Sequence, residues 1–487
     1  MATPRKAAPL PVDCDFLIAG AGAAGLYAAN ILIRNGFRVR VLERRAEPST
    51  HSRSIGIHPP SLELLRELGL LESFLSEGIH VTTGRAMVMR GGAPCTGKPP
   101  KDGNKAAGKH RSVEDGDFNR EQPDGGKTMR AGRSYRLELG SGVGTDLILT
   151  LPQHRTEALL EANLPEDLVL RRQTVIGFRE QVDGISVETR CGDSGSSRVF
   201  NARYLLAADG MYSGLRGMIP VEWSGFTYPY PFCMGDFPDN TPFGAEAVIY
   251  LTPDGLVESF PLPGNLRRWV INLKPGARVR DDNDRNGRWH QLHATGPESG
   301  ASADSMRVPD TTGIGREAGT TGIGREAGTA KPGLEHPGKE AAIAALCRTI
   351  GHRTGYTLEP GLAQMYSEFR AHRYTATSLY HGRVVLIGDA AHVISPIGGQ
   401  GMNFEWGMIR SLADLAVKTD TGALLREASL QTYQHLGRSA ARKYGRRAHF
   451  NTTMGLPGRH HHLLGAAVKL LMSAPLRRAV ARRFTMR

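Results

Sequence analysis

The sequence predicts a mixed α/β protein with a parallel sheet at its core. A short apolar run, a three-glycine turn and an apolar helix-forming segment follow one another from Asp15 to Ile33. Strand-like and helix-like segments then alternate as far as Ala208, the pattern of a parallel sheet with crossing helices. At 487 residues the chain exceeds one ordinary core, so two packed regions with additions are expected.

The first element is the run Phe16-Leu17-Ile18, read as a strand. It leads into Gly20-Ala21-Gly22-Ala23-Ala24-Gly25, and Leu26 to Ile33 continues as a helix. In that context each glycine has its own task. Gly20 permits the tight turn, Gly22 lets the backbone approach a pyrophosphate, and Gly25 lets helix and strand pack closely, so that phosphate oxygens face the helix N-terminus. A second strand, Arg38 to Leu42, ends in Glu43, 18 residues beyond Gly25. That spacing is close to the roughly 20 residues that bring a carboxylate onto a ribose hydroxyl. A glycine-rich turn alone needs no ligand; strand, helix and acid together point to a dinucleotide.

Further along, Ile79 to Met89 and Leu147 to Leu151 read as strands and Gln153 to Asn163 as a helix. Leu168 to Leu170, Thr174 to Val182, Ile185 to Thr189 and Tyr204 to Ala208 read as strands. From Trp223 to Leu273 the character changes to short β-like runs rich in Pro and aromatics, which suit an apolar pocket wall and ordinary sheet packing equally. Two stretches read as insertions that bury too little apolar surface to order themselves: Arg90 to Arg133 and Pro275 to Gly338. The second carries Thr-Thr-Gly-Ile-Gly-Arg-Glu-Ala-Gly twice, at 311–319 and 320–328, too short and too few for a solenoid.

Net charge is +13, but 12 of the 61 Lys and Arg follow Glu427, where no acid occurs, leaving 49 basic against 48 acidic residues before that point. The basicity belongs to the tail. Between Arg438 and Arg487 it has no zinc-finger spacing and only Tyr444, Phe450 and Phe484 for stacking, so nucleic acid is not expected as a partner. Two readings remain open for the basic C-terminal segment. Leu463, Leu464, Val468, Leu471, Leu476, Val480 and Phe484 among arginines suit peripheral contact with an anionic membrane, or a solvated helical face whose leucines pack on the body. Consecutive His460, His461 and His462 cannot all face one ion on a helix, so no metal site is expected. Five scattered cysteines fit a reducing cytoplasm. Neither a signal peptide nor an apolar run of 18 residues is seen, so a cytoplasmic protein is expected, with the inner membrane face as the site of any peripheral contact.

Three segments now combine. Gly20 to Gly25 with Glu43, Ala207-Ala208-Asp209-Gly210-Met211-Tyr212-Ser213-Gly214-Leu215-Arg216, and Val384 to His392 followed by Pro396 and Gly398 to Asn403 resemble the three fingerprints of the single-component FAD-dependent aromatic hydroxylases, the para-hydroxybenzoate hydroxylase-like family. The resemblance runs from about residue 13 to about 420, outside the insertions. It implies a Rossmann-like, glutathione-reductase-type FAD-binding domain from 12–78, 150–216 and 366–420, and a mixed β-sheet substrate domain from 79–149 and 217–365. A basic helical segment, 421–487, completes the chain.

The implied cofactor contacts are Gly20, Gly22, Ala23, Ala24, Gly25, Glu43, Arg44, Arg53, Gln153, Asp209, Gly210, Asp389, Pro396, Gly399, Gly401, Met402 and Asn403, with Ser213 and Arg216 as supports. Asp389 is suited to ribityl hydroxyls, and the small residues from Pro396 to Asn403 can lie against the isoalloxazine ring before a helix, Phe404 to Val417. The chain departs from the family pattern at Phe404-Glu405-Trp406-Gly407, which leaves the substrate-side contacts open.

The implied activity is monooxygenation: NADPH or NADH reduces FAD, dioxygen adds, and the flavin hydroperoxide hydroxylates an aromatic or related electron-rich hydrophobic substrate. The alternative is a flavin-dependent reductase or dehydrogenase acting on an isoprenoid or quinone-like lipid. A phenolic substrate calls for a base. The sequence does not identify it; His392 is a catalytic candidate that sits in the flavin motif, where it can equally serve packing.

Overall fold

The computed structural model describes residues 12–49, 54–89, 116–118, 132–275, 337–419, 422–454, 456 and 461–487. Most of 90–133 and 275–338, the two expected insertions, lies outside them. Their edges are regular: 132–133 belong to the strand Gly132–Glu138, and 337–338 open the helix Pro337–Thr354.

Cys14–Ala19 is buried at every position and forms the middle of the first sheet. A strand covered on both faces reads as an unbroken apolar run, which is how it announced itself. Val39–Glu43 and Ser197–Ala207 flank it in parallel, with Val169–Arg171 beyond the first and Val384–Leu386 beside the second, also parallel. Ile185–Cys191 and Gln173–Glu180 extend the sheet antiparallel. In this register Ala19, Leu42 and Ala207 end side by side, and Leu386 pairs with Ala207. All four strands therefore deliver their following turns to one rim, the place where open α/β sheets bind ligands. Helices Ala23–Arg34, Gln153–Ala162 and Gly401–Leu415 pack together against this sheet.

The second sheet has nine strands among the described residues. Its longest, Trp223–Pro238, pairs with Met365–Ala376 on one side and Leu266–Asn272 on the other; Gly255–Leu262, Ala247–Thr252 and Thr83–Met89 follow outward. Alternation separates the two faces. Cys233, Phe237, Val257, Trp269 and Ile271 pack under Leu346 and Ile350 of the helix Pro337–Thr354. Phe232, Met234, Val270 and Phe369 belong to a different cluster on the opposite face. The aromatic stretch from Trp223 is thus both sheet core and cavity wall, one role per face.

Two boundaries differ from expectation. The strand expected over Ile79–Met89 is divided at Thr82, because Ile79–Val81 pairs with Ile148–Thr150 in a small separate sheet while Thr83–Met89 joins the large one. Met365–Ala376, expected from residue 366 on to open the last FAD segment, is hydrogen-bonded to Trp223–Pro238 and belongs to the second sheet. The C-terminal segment is helical over Glu427–Met454, His461–Leu471 and Ala474–Phe484. Val468 and Met472 are buried in the second sheet's apolar cluster, with Val480 and Phe484 packed against it, so these residues face the body and not an outer surface. Leu470 and Leu476 remain exposed. No helix among the described residues is long and apolar enough to cross a membrane.

Candidate functional site

The turn after Cys14–Ala19 is built by sterics. Gly20 has φ +115°, and a Cβ there would lie 2.3 Å from the Ala208 carbonyl oxygen. Gly25 sits so close to the turn that a Cβ would lie 1.9 Å from the Gly20 carbonyl oxygen. Gly22 is different: it precedes the helix Ala23–Arg34, its nearest protein atom to a built Cβ is Glu157 Oε1 at 3.8 Å, and it lines the cavity. Gly20 and Gly25 are thus required by close backbone approach, whereas the space beside Gly22 opens toward the cavity.

That cavity is continuous, about 800 Å³, and runs from the glycine turn to the second sheet. Gly20, Gly22, Ala23, Ala24, Glu43, Arg44 and Gln153 line its near end; Gly25 lies behind them in the helix–strand contact. Glu43 Oε2 accepts the Ala21 N–H at 2.8 Å and its Oε1 accepts from Arg45 N and Nε at 2.9 and 3.0 Å. Burial alone would favour the neutral acid, but Arg45 and the backbone donors outweigh it and hold the Glu43 pKa below its ordinary value. Gln153 donates to Glu157 Oε1 at 2.9 Å and accepts the Ser54 N–H at 3.2 Å; the same Glu157 oxygen accepts the Ala23 N–H at 3.2 Å. Burial raises the Glu157 carboxyl. Arg53 lies outside the described residues.

The second and third motifs meet across the rim. Asp209 Oδ2 accepts the Leu215 N–H at 3.2 Å, whereas Asp209 Oδ1 is buried with no partner among the described residues. Gly210 has φ +86° and open space around it. Ser213 Oγ accepts the Arg216 N–H at 2.9 Å, and the Arg216 guanidinium donates to Met211 O and Ala390 O at 2.9 and 3.0 Å while lying 3.7 Å over the Trp223 ring. Arg216 therefore ties motif two to motif three. In motif three, Gly388 has φ +62°, a Cβ there would lie 2.7 Å from Ala24 Cβ, and Asp389 follows on the cavity wall.

The run Pro396 to Met402 forms the middle of the wall. Gly398 and Gly399 have φ +91° and +66°, which turns the chain sharply before the helix begins at Gly401. Pro396, Gly399, Gly401 and Met402 line the cavity. Asn403 does not. Its Oδ1 accepts the His58 N–H at 2.8 Å and its Nδ2 donates to Gly56 O and Gly399 O at 2.9 and 2.7 Å, so the side chain holds the loop in shape. The Phe404–Gly407 departure has a structural use: Trp406 Nε1 donates to Ala23 O at 3.2 Å and stacks on Tyr27.

His392, the catalytic candidate, is buried behind the wall and does not line the cavity. Its Nδ1 lies 2.7 Å from Glu405 Oε1. Burial opposes charge on both groups; it pushes Glu405 up to about 7, and contact with that carboxylate holds His392 above its ordinary value. The Phe404 ring packs against it at 4.6 Å, so His392 stands behind Glu405, which itself lines the cavity. At the far end, Met234, Phe260, Val270, Phe369, Ile397 and Phe484 form an apolar chamber. Arg268, held by Asp236 at 2.7 and 2.8 Å, and Glu258 also line it. Arg45, Glu157, Glu258 and Glu405 escaped sequence reasoning. Only Glu157 left a signal, four residues after Gln153 and hence on the same helix face.

Together these residues fit a dinucleotide: a side-chain-free turn at a helix N-terminus, a partnerless carboxylate oxygen of Asp209 and a glycine loop beside an apolar chamber. The model of the FAD binding domain matches residues 13–308 and 331–448. An uncharacterized aromatic compound monooxygenase of Bacillus subtilis is 26% identical over 395 residues, covering 80% of this chain and 58% of that protein. Rifampicin monooxygenase of Streptomyces venezuelae is 27% identical over 395 residues, covering 80% and 61%. The chain thus spans about three fifths of the length of these relatives. In fold it is similar to p-nitrophenol 4-monooxygenase from Pseudomonas putida DLL-E4, with TM-score 0.66, 15% identity and 98% of each chain covered. The chain belongs to the FAD binding domain family.

Proposed function

We propose that the protein is an FAD-dependent monooxygenase that uses NADH or NADPH and dioxygen to hydroxylate an aromatic or related electron-rich hydrophobic substrate. The observation that carries this reading is the continuity of the cavity: a phosphate-accepting turn and a glycine loop at one end open into an apolar chamber at the other. Gly20, Gly22, Ala23 and Ala24 would hold the diphosphate at the helix N-terminus, with Asp209 and Gly210 in the same pyrophosphate region, Glu43, Arg44 and Gln153 the adenosine side, and Asp389 the ribityl hydroxyls. Pro396, Gly399, Gly401 and Met402 would lie along the ring system. When bound, the flavin would supply the redox chemistry that passes electrons from NAD(P)H to dioxygen. One oxygen atom enters the substrate in place of hydrogen and the other leaves as water.

The protein's part is to orient the substrate and exclude water. Phe260, Phe369, Ile397 and Phe484 give the chamber walls that neither donate nor accept hydrogen bonds, so the reactive oxygen is kept from solvent and the ring is held close to it. The relatives' names, an aromatic compound monooxygenase and rifampicin monooxygenase, support the same class.

The test is a panel of phenols, quinone precursors and prenylated aromatics incubated with the FAD-loaded protein and NAD(P)H under ¹⁸O₂. The expected result is stimulated NAD(P)H oxidation with one labelled oxygen in the product. Stimulated oxidation without label in any product, or substrate reduced in the absence of oxygen, would replace this reading by a dehydrogenase or reductase.

A further inference from the structure

We propose that Glu258 is the base that takes the proton of a ring hydroxyl on the substrate, and that the chamber therefore selects phenols whose remaining surface is apolar and uncharged. This deepens the monooxygenase reading and rests on it.

Glu258 lies in the strand Gly255–Leu262, whose register sets it beside Ile249 on one neighbour and Val270 on the other, with Met234 next beyond Val270. Val270 and Met234 line the chamber, and so does Glu258. Val257, one residue earlier, points to the opposite face and packs with Trp269 and Ile271. The carboxyl thus projects into the chamber from between apolar neighbours. It is 5% exposed and has no hydrogen bond or ion pair among the described residues. A buried polar group without a partner is costly, and a carboxyl left so in an enclosed site is completed by what the site receives.

The surrounding charges say what that partner is. Arg268, on the Leu266–Asn272 strand, is already neutralised by both oxygens of Asp236 from the Trp223–Pro238 strand. Arg370 and His372 come from the Met365–Ala376 strand, Arg370 exposed at the rim and His372 Nδ1 within 2.9 Å of Thr227 Oγ1. His58 is buried beside the flavin loop, where burial lowers its pKa to about 4 and keeps it neutral. Among the described residues no buried cation is left for a substrate carboxylate, and such a group would meet Glu258 as a like charge. A phenol offers what is missing, one O–H donor on an apolar ring. Burial pushes Glu258 up to about 8, closer to a phenol than an ordinary carboxylate is, so proton exchange between them is more nearly balanced.

The step is simple in its accounting. The substrate O–H bond breaks, the proton moves to a Glu258 oxygen, and the electron pair stays on the phenolate, which enriches the ortho and para carbons. After oxygen enters there, the ring loses its C–H proton to solvent and the original hydroxyl recovers its proton from Glu258.

The experiment compares 2-naphthol, its methyl ether and 6-hydroxy-2-naphthoate on the FAD-loaded full chain, wild type and E258Q and E258D. The wild type should oxygenate 2-naphthol at least about tenfold better in kcat/KM than either analogue, with a rate that rises as Glu258 ionises and levels off above pH ~8. E258Q should lose about 100-fold in kcat and lose that pH dependence, while its Kd for 2-naphthol by calorimetry stays within about threefold. E258D should recover part of kcat. A wild-type profile flat between pH ~6.5 and ~8.5 overturns the inference without any variant, should E258Q not fold. Unchanged kcat in E258Q overturns it while leaving the monooxygenase reading intact. Oxygenation of the methyl ether or the naphthoate as well as 2-naphthol overturns the inference alone, whereas the monooxygenase reading falls only if no member of the wider aromatic panel takes up labelled oxygen.

Discussion

Replacing Gly22 or Gly25 by alanine adds the same methyl group to the same turn, yet the two changes should fail in different ways. At Gly25 the new Cβ would stand 1.9 Å from the Gly20 carbonyl oxygen and 3.1 Å from its carbon, both backbone atoms that cannot rotate aside. Relief requires the helix Ala23–Arg34 to move off the central strand, and overpacking of that kind costs about 1–3 kcal/mol, with rigid backbone at the upper end. At Gly22 the nearest atom is 3.8 Å away and φ is −86°, so the folded protein accepts alanine at a cost of a few tenths of a kcal/mol, about that of changing the residue before a helix. What the methyl group enters is the space proposed for the diphosphate. Loss of one charge-assisted hydrogen bond is worth about 1.5–3 kcal/mol, or roughly 10- to 100-fold in affinity. Urea unfolding of the flavin-free proteins and flavin-fluorescence titration measure the two quantities separately. Gly25→Ala should lose about 3 kcal/mol of stability. Gly22→Ala should keep its unfolding midpoint and bind FAD at least about tenfold more weakly. If Gly22→Ala binds FAD like the wild type, or unfolds as early as Gly25→Ala, the assignment of the turn to the diphosphate is wrong.

Other perturbations test the far end of the cavity. Asp236→Ala removes both carboxylate oxygens from the buried Arg268 guanidinium and should cost about 3–5 kcal/mol by denaturant unfolding, much of it recovered when Arg268 is also replaced by Met. Burial sets Glu258 at about 8 against an ordinary 4.5, so the folded state binds more protons than the unfolded chain between those values. Stability contributed by the neutral acid is present below pH ~4.5 and is lost as pH rises to ~8, by at most about 5 kcal/mol at 1.36 kcal/mol per unit. E258Q should therefore flatten the stability–pH curve over that window; an unchanged slope would mean that the carboxyl is solvated in the fold. Phe484→Ala opens the chamber wall, and the ratio of hydroxylated product to NAD(P)H consumed should fall several-fold with FAD affinity unchanged.

The near end of this cavity was legible because its chemistry is local. Gly20, Gly22 and Gly25 do their work within one turn, and the apolar run before them and the helix after them state the context in consecutive residues. Asp209 and Asp389 were legible for the same reason, each being the first polar residue after a buried strand that ends at the rim. Contacts between side chains far apart in sequence were not. Asn403 reads as a ring contact, yet its amide is used up on Gly56, His58 and Gly399, a pairing set by where the His58 loop lands. His392 reads as a base until it is seen to stand behind Glu405, against Phe404. The basic tail was ambiguous because its apolar residues need a partner surface, and only the fold supplies one in the second sheet.

Glu258 carries the same lesson to its limit. In Gly255-Leu256-Val257-Glu258-Ser259-Phe260, an acid in an alternating strand reads as the solvent side of a half-buried sheet, and alternation cannot say what covers that side. Cover comes from elsewhere: Ile397 of the glycine loop and Phe484 of the last helix reach over the face that the strand pattern leaves open. Both segments are hundreds of residues or a full domain away from the first strand, and both also border the flavin end of the cavity. The surface that dehydrates Glu258 is therefore the surface that shields the site of oxygen transfer. Weakening that cover should lower the Glu258 pKa toward its ordinary value and release oxygen as peroxide together. A Phe484→Ala protein in which the coupling of NAD(P)H to product falls while the pH at which the rate levels off stays at ~8 would separate the two effects and show that Glu258 owes its environment to the sheet alone.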